Sequence, residues 1–307
     1  LNTILSEFRL IQTFIFTVMT FSGVCLAGEK VNKSLSVEPT GSVFVEIPRG
    51  LVNIQGWDKP EVMIRGELDD TAKRLIFETN KNKTLIKVET QGQQHWGDSS
   101  VLDIFIPQKL QLIFKGIDTS FTVTKVNNHI SGKSISGDLI VSKSHGKIKL
   151  SVVSGDVQLI ESSGFTKVES VSGMITFSGD FQQAYLKSIS GDINANIDGT
   201  SNLTIKNVSG NTQISGQVKS KAQVKLSSVS GDILYKVAGT LNAECNIVSQ
   251  FGGDINNLLT DDLPTGGNLN KKTLSFISGD GSGKLSLNTI NGTVSIEKTS
   301  EERISNE

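Results

Sequence analysis

Around residue 195 the chain alternates apolar and polar side chains, with Ile193, Ala195 and Ile197 set against Asn194 and Asn196. The same two-residue period returns in Ala222, Val224 and Leu226 against Gln223 and Lys225. A period of two puts the apolar side chains on one face of a β-strand. Similar runs at 43–47, 62–64, 85–88 and 102–106 carry the strand pattern towards the N-terminus, and a short helix is expected only near 70–75.

The strands are punctuated by a repeat. An aliphatic-Ser-Gly-Asp motif stands at 135–138, 153–156, 189–192, 229–232 and 277–280, with Met174 in the Asp position at 171–174 and Asn211 at 208–211. From Gly137 to Gly231 the glycines are 18, 18, 18, 19 and 21 residues apart, and looser copies follow at Gly253-Asp254 and Asn291-Gly292-Thr293. A second turn signal, such as Gly146, Gly164 or Gly199, lies midway, so each repeat holds two strands. Laid flat, these strands would leave a long apolar face in water, so the sheet must close on itself. The predicted fold is all-β: a β-solenoid, single-strand β-helix-like, with coils of about 18–22 residues stacked in parallel. Nine glycine turns at about 4.8 Å per coil give a shaft of roughly 40 Å. An antiparallel meander is the competing architecture, because turns every nine residues also suit hairpins.

The organisation expected along the chain is a signal peptide at 1–27, an irregular N-terminal β cap or first coils at 28–130, solenoid repeats at 131–297 with a loop insertion at 258–272, and a polar tail at 298–307. The apolar stretch from Leu10 to Leu26 is broken by Gln12, Thr13, Thr17, Thr20 and Ser22. It therefore reads as a secretory signal cleaved after Ala27, not as a membrane span of about 20 apolar residues. Contact with the membrane would arise only if this segment stayed uncleaved. The expected location is outside the cytoplasm, in the periplasm, at the cell surface or in the medium. Cleavage removes Cys25 and leaves Cys245, whose alternation with Leu241, Ala243 and Ile247 marks a small buried hydrophobe.

Composition narrows the function classes. Thirty Lys plus Arg against 31 Asp plus Glu give a formal charge of -1, which supplies no electrostatic reason to expect nucleic acid. Two Cys exclude a disulfide scaffold and a four-cysteine zinc site. Thirty Gly, five Pro and 6% aromatic residues suit tight turns around small apolar side chains.

The candidate chemistry is sparse. The stacked acids suggest a calcium β-roll, but calcium takes six to eight oxygens and each coil offers one carboxylate. Gly137, Asp138, Gly155, Asp156, Gly173, Gly191, Asp192, Gly210, Gly231, Asp232, Gly279 and Asp280 are therefore assigned as structural turns, the Asp bonding nearby backbone. No metal or cofactor is expected. His95, His129 and His145 are the only histidines, no Gly-x-Ser-x-Gly elbow exists, and no catalytic residue is assigned. The segment Gly279 to Lys284 looks like a phosphate loop, yet Ser278 replaces its first Gly and Leu285 its Ser or Thr. Trp57 is expected to cover the N-terminal core. His95, Trp96 and Asp98 form a candidate carbohydrate surface, an aromatic ring beside a carboxylate. Lys143, Lys147 and Lys149 offer the base that a polysaccharide lyase would need, although surface lysines also keep exposed strands from aggregating.

Three features together carry a resemblance: Gly50-Leu51-Val52-Asn53-Ile54-Gln55-Gly56-Trp57-Asp58, then Leu102-Asp103-Ile104-Phe105-Ile106-Pro107, then the Ser-Gly-Asp repeats. Over roughly residues 41–297 the chain resembles the bacterial putative-adhesin family of exported β-strand-repeat domains. The resemblance implies a pectate-lyase-like solenoid shape, a cell-envelope setting and adhesion, and it brings no catalytic motif. The expected function is a non-enzymatic envelope scaffold that binds another envelope protein or a carbohydrate. The alternatives are a polysaccharide-binding or lyase-like protein and a calcium-stiffened β-roll.

Overall fold

A computed structural model describes residues 28–90, 99–197, 199–267 and 271–299. The expected signal peptide at 1–27, with Cys25, lies outside the described residues, as does the tail from residue 300. All regular structure among the described residues is β-strand. The helix expected at 70–75 is absent: Asp69 Oδ1 accepts the Thr71 N–H at 2.7 Å, closing a turn that delivers the chain into a strand at Ala72.

The chain opens with β1 (Lys30–Ser36), β2 (Ser42–Trp57), β3 (Glu61–Glu67), β4 (Ala72–Asn80), β5 (Lys83–Thr90), β6 (Ser100–Pro107) and β7 (Gln111–Thr124). The regular repeats follow as β8 (Ile130–Ser136), β9 (Leu139–Ser142), β10 (His145–Ser154), β11 (Val157–Ser172), β12 (Ile175–Ser190), β13 (Ile193–Asn196), β14 (Asn202–Ser209), β15 (Thr212–Gly216), β16 (Gln223–Ser230) and β17 (Ile233–Val237). The chain then runs through β18 (Ala243–Ser249), β19 (Ile255–Asn257), β20 (Lys272–Ser278), β21 (Gly283–Asn291) and β22 (Val294–Lys298).

Each coil has a long limb before its glycine turn and a short limb after it. The long limbs stack as one parallel ladder, with Ile148 between Ile130 and Thr166. The short limbs stack as a second, with Val157 between Leu139 and Ile175. This is the β-solenoid, and the parallel pairing excludes the meander. Inward side chains such as Ile148, Leu150, Leu159, Phe177 and Leu186 fill the space between the ladders and are fully buried. Gly132 has no side chain because the Phe114 ring of the neighbouring coil fills the space, 2.1 Å from where a Cβ would stand.

Register holds at Met174 and Asn211, with Val157 opposite Ile175 and Ile193 opposite Thr212, and shifts instead within the β11–β12 pair, between Leu159 and Ser162 and between Gly164 and Phe165. The order of coils departs from the order of the chain at both ends. β2 lies between β7 on one side and β5 and β6 on the other. At the far end β21 lies between β16 and β18, and β22 between β17 and β19. The first and last coils of the chain are thus second from the ends of the shaft. The outermost coils are covered by antiparallel strands, β3 on β6, β4 on β5 and β20 on β18. Solenoids protect an open core with such caps.

The range 28–130, expected as a cap or irregular first coils, holds both. Strands β2, β5, β6 and β7 are limbs of shaft coils, and β1, β3 and β4 form the cap at this end. Counted from β5–β6 through β2, β7, β8–β9 and onward to β18–β19, eleven coils stack, a shaft of about 50 Å. The insertion expected at 258–272 ends where β20 begins, and a Thr265–Thr273 bridge ties it to that strand.

Candidate ligand-binding surface

The glycine turns form a row along one edge of the shaft, and their close approach dictates their composition. Gly173 has φ +118°, and a Cβ there would meet the Gly155 carbonyl oxygen at 2.1 Å. Where the residue after the glycine is Asp or Asn, its side chain links its coil to the next. Asp138 Oδ1 accepts the Asp156 N–H at 2.8 Å, and Asp156 Oδ1 accepts that of Met174 at 2.8 Å. Asp192 bonds the Asn211 N–H at 2.7 Å, Asn211 that of Asp232 at 3.0 Å, and Asp232 that of Thr293 at 2.8 Å. These side-chain oxygens face backbone N–H groups. Among the described residues no group of three or more His, Cys, Asp or Glu is placed to hold a metal ion.

Gly137, Gly155, Gly173, Gly191, Gly210 and Gly231 stand in this row, each stacked on the backbone of the coil before it. Gly279 and Asp280 do not, although 277–280 matches the motif. They form the turn from antiparallel β20 into β21, where Asp280 Oδ1 accepts the Ser282 N–H at 3.0 Å. The place beside Gly231 is taken by Gly292 and the outermost place by Gly253. The motif's aliphatic residue points outwards, since the residue before it takes the inward position. Ser170 is buried while Val171 is 41% exposed, and Ile135, Val153, Ile189, Val208 and Val229 are similarly half-exposed. They stack as a ridge beside the turn row.

The outward face of the long-limb ladder carries three further rows, which register defines. Lys147, Phe165, Gln183, Asn202, Gln223 and Lys284 follow one another in the first row. In the second, Lys149, Lys167, Tyr185, Thr204 and Lys225 do so. The third runs from Lys133 through Ser151, Glu169 and Lys187 to Lys206. Between β8 and β21 these rows hold eight lysines (Lys133, Lys147, Lys149, Lys167, Lys187, Lys206, Lys225 and Lys284) and one carboxylate, Glu169, which pairs with Lys167 at 2.9 Å. The short-limb ladder presents mainly uncharged polar groups, among them Thr122, Gln158, Thr176, Asn194 and Gln213. Charge is therefore segregated between the two outer faces.

Within the lysine face lies a groove of about 590 Å³, lined by Lys147, Lys149, Phe165, Lys167, Gln183 and Tyr185 together with Ile148 and Thr166. Phe165 is 49% exposed. The Tyr185 ring has the Lys167 ammonium 5.6 Å from its centroid and that of Lys206 at 5.9 Å, within cation–π range. The local field registers on His129, at the end of the first row. Partial burial, together with the charges of Lys147 and Lys149, holds its pKa below the ordinary value. Glu46 sits further along, bonded to Lys115 at 3.0 Å and Lys87 at 3.5 Å. Burial opposes its ionisation, and the two lysines outweigh it and lower its pKa.

The remaining expected sites lie elsewhere. His95, Trp96 and Asp98 are outside the described residues. Trp57 is half-buried on the outer face and does not cover the core: its Nε1 donates to Glu61 O at 2.8 Å, and its ring meets Phe105 and Lys59. His145 Nδ1 lies 2.7 Å from Ser163 Oγ, one coil away on the solvent side. Cys245 is buried, and desolvation with the nearby Glu244 charge pushes its thiol pKa up to about 12. No helix among the described residues is long and apolar enough to cross a membrane.

Residues 51–297 match the model of the family described as Toastrack DUF4097. No curated protein matches the chain. Similar solved structures include a putative adhesin from Bacteroides fragilis (14% identity, 88% of this chain and 97% of that one, TM-score 0.43). Others are a putative cell adhesion protein from Clostridium sporogenes (12%, 88% and 100%, TM-score 0.28) and a putative lipid binding protein from Parabacteroides distasonis (12%, 89% and 97%, TM-score 0.48).

Proposed function

The chain belongs to the Toastrack DUF4097 family, and from that premise we propose that it is a non-enzymatic, exported interaction scaffold of adhesin type. The observation that carries this reading is the lysine face: eight cations held in rows on one parallel ladder, open to solvent. Its rigidity comes from strands paired along both edges, so a partner meets a preorganised surface and binding does not have to order it. Lysines protect the unpaired edges of sheets, but these stand on strands that have no free edge. Fixed outward rows suit recognition by many shallow contacts. Catalysis would need a nucleophile, a base and its orienting group to converge on one point, and the rows spread such groups along the shaft.

The test is saturable binding of the labelled full chain to immobilised cell envelopes from the source bacterium. The scaffold reading expects affinity to fall in steps as lysines of the face are replaced. Abolition by one carboxylate substitution, or cleavage of an envelope polysaccharide during the assay, would overturn it.

A further inference from the structure

We propose that the lysine face binds a linear acidic polysaccharide, a chain of carboxylate-bearing sugars lying along the shaft. The inference rests on the scaffold reading above and adds the chemistry of the partner. Three observations converge on it. Lys147, Lys149 and Lys167 gather on neighbouring strands without a matching acid apart from Glu169, so an incoming carboxylate meets a positive field. Phe165 and Tyr185 stand in the same groove and offer ring faces against which the apolar face of a sugar can pack. The first row then continues as Gln183, Asn202 and Gln223, amides that both donate to and accept from hydroxyls.

Spacing and shape select among polyanions. Positions along a row repeat every 4.8 Å or so, close to the length of one pyranose unit. A duplex strand advances about 3.4 Å along its axis per phosphate while winding around that axis, so its phosphates do not follow a straight row with that repeat. A planar bilayer would touch the ammonium tips and leave the recessed groove with its two rings unfilled. The groove at Trp57 also holds an aromatic ring, but that ring packs on Phe105 and the lining sets the carboxylate of Asp58 beside Lys59 and Lys109.

The test measures binding of the full chain to polygalacturonate by interferometry at two salt concentrations. Poly-glutamate, duplex DNA and anionic phosphatidylglycerol vesicles run as parallel probes. The expected result is polygalacturonate binding that weakens with salt, falls at least tenfold in K149E/K167E, and stays within twofold of wild type in K236E/K298E. That control carries the same charge change on the other ladder. Tyr185→Ala should weaken polygalacturonate severalfold and leave poly-glutamate unchanged, separating stacking from charge. Unchanged melting temperatures establish that the variants fold. The proposal is overturned if K149E/K167E binds as wild type, if both double variants lose affinity equally, if Y185A weakens neither polymer or both alike, or if DNA or vesicles bind more tightly than the glycan. It also falls, and the scaffold reading stands, if envelope binding persists while polygalacturonate does not bind.

Discussion

Asp156 Oδ1 accepts the backbone N–H of Met174 at 2.8 Å across the gap between successive coils, and Met174 has no side-chain oxygen with which to do the same for the coil that follows. The row is thus a series of turn-to-turn hydrogen bonds that lacks a side-chain acceptor at Met174. Asp156→Ala should lose about 0.5–1.5 kcal/mol of stability, while Asp156→Asn stays near wild type, since Asn211 performs the same role. Met174→Asn should gain about 0.5–1 kcal/mol by supplying the acceptor without adding a like charge beside Asp156 and Asp192. Urea denaturation reads all three. The same account expects one melting temperature in calcium and in chelator, and a drop of many degrees on chelation would contradict it.

Because β21 and β22 separate β16–β17 from β18–β19, deleting residues 283–307 should expose more than the segment removed. Amides of 243–257, all still present, are expected to lose hydrogen-exchange protection, and those of β10 to β12 to keep it. Continued protection at 243–257 would mean that this coil re-docks directly on β16.

Buried, and with its thiol held near pKa 12 by desolvation, Cys245 should ignore a thiol-reactive disulfide reagent at pH 8 in the native protein and react fully in urea. Rapid native labelling would place β18 in solvent.

His129 ties stability to pH. Its folded pKa lies below its ordinary value, so the unfolded chain binds the proton more readily. The contribution is complete above about pH 6.5 and is lost as pH falls from there through the folded pKa. The stability difference between wild type and His129→Gln should therefore change between pH 7.5 and 5.5. Parallel curves would mean that neither partial burial nor the charges of Lys147 and Lys149 disfavour the protonated ring.

Much of this was legible beforehand. The two-residue alternation at 193–197 and the spacing of the glycines point to a solenoid while leaving an antiparallel meander open, and only the observed parallel pairing decides between them. Coil order was not legible, because an 18-residue period states that coils stack without stating on which neighbour. By sequence the motif at 277–280 reads as a turn of the row, a place that Asn291-Gly292-Thr293 holds with less of the signature. The lysine face was only partly visible. Lys147 and Lys149 stood out, but their relation to Phe165, Lys167 and Tyr185 appears only when repeats are laid over one another in the observed register.

The exchanged coil order also bears on how the molecule meets force. In a shaft wound strictly in chain order, a pull on either terminus peels the outermost coil away one hydrogen bond at a time. Here the C-terminal coil is clasped on both sides, β21 by β16 and β18, β22 by β17 and β19, and β2 is clasped likewise near the other end. Tension on the C-terminus loads two ladders together and cannot unzip a single edge. A protein held at one end and gripped along its side would yield at its tether only when both ladders rupture at once.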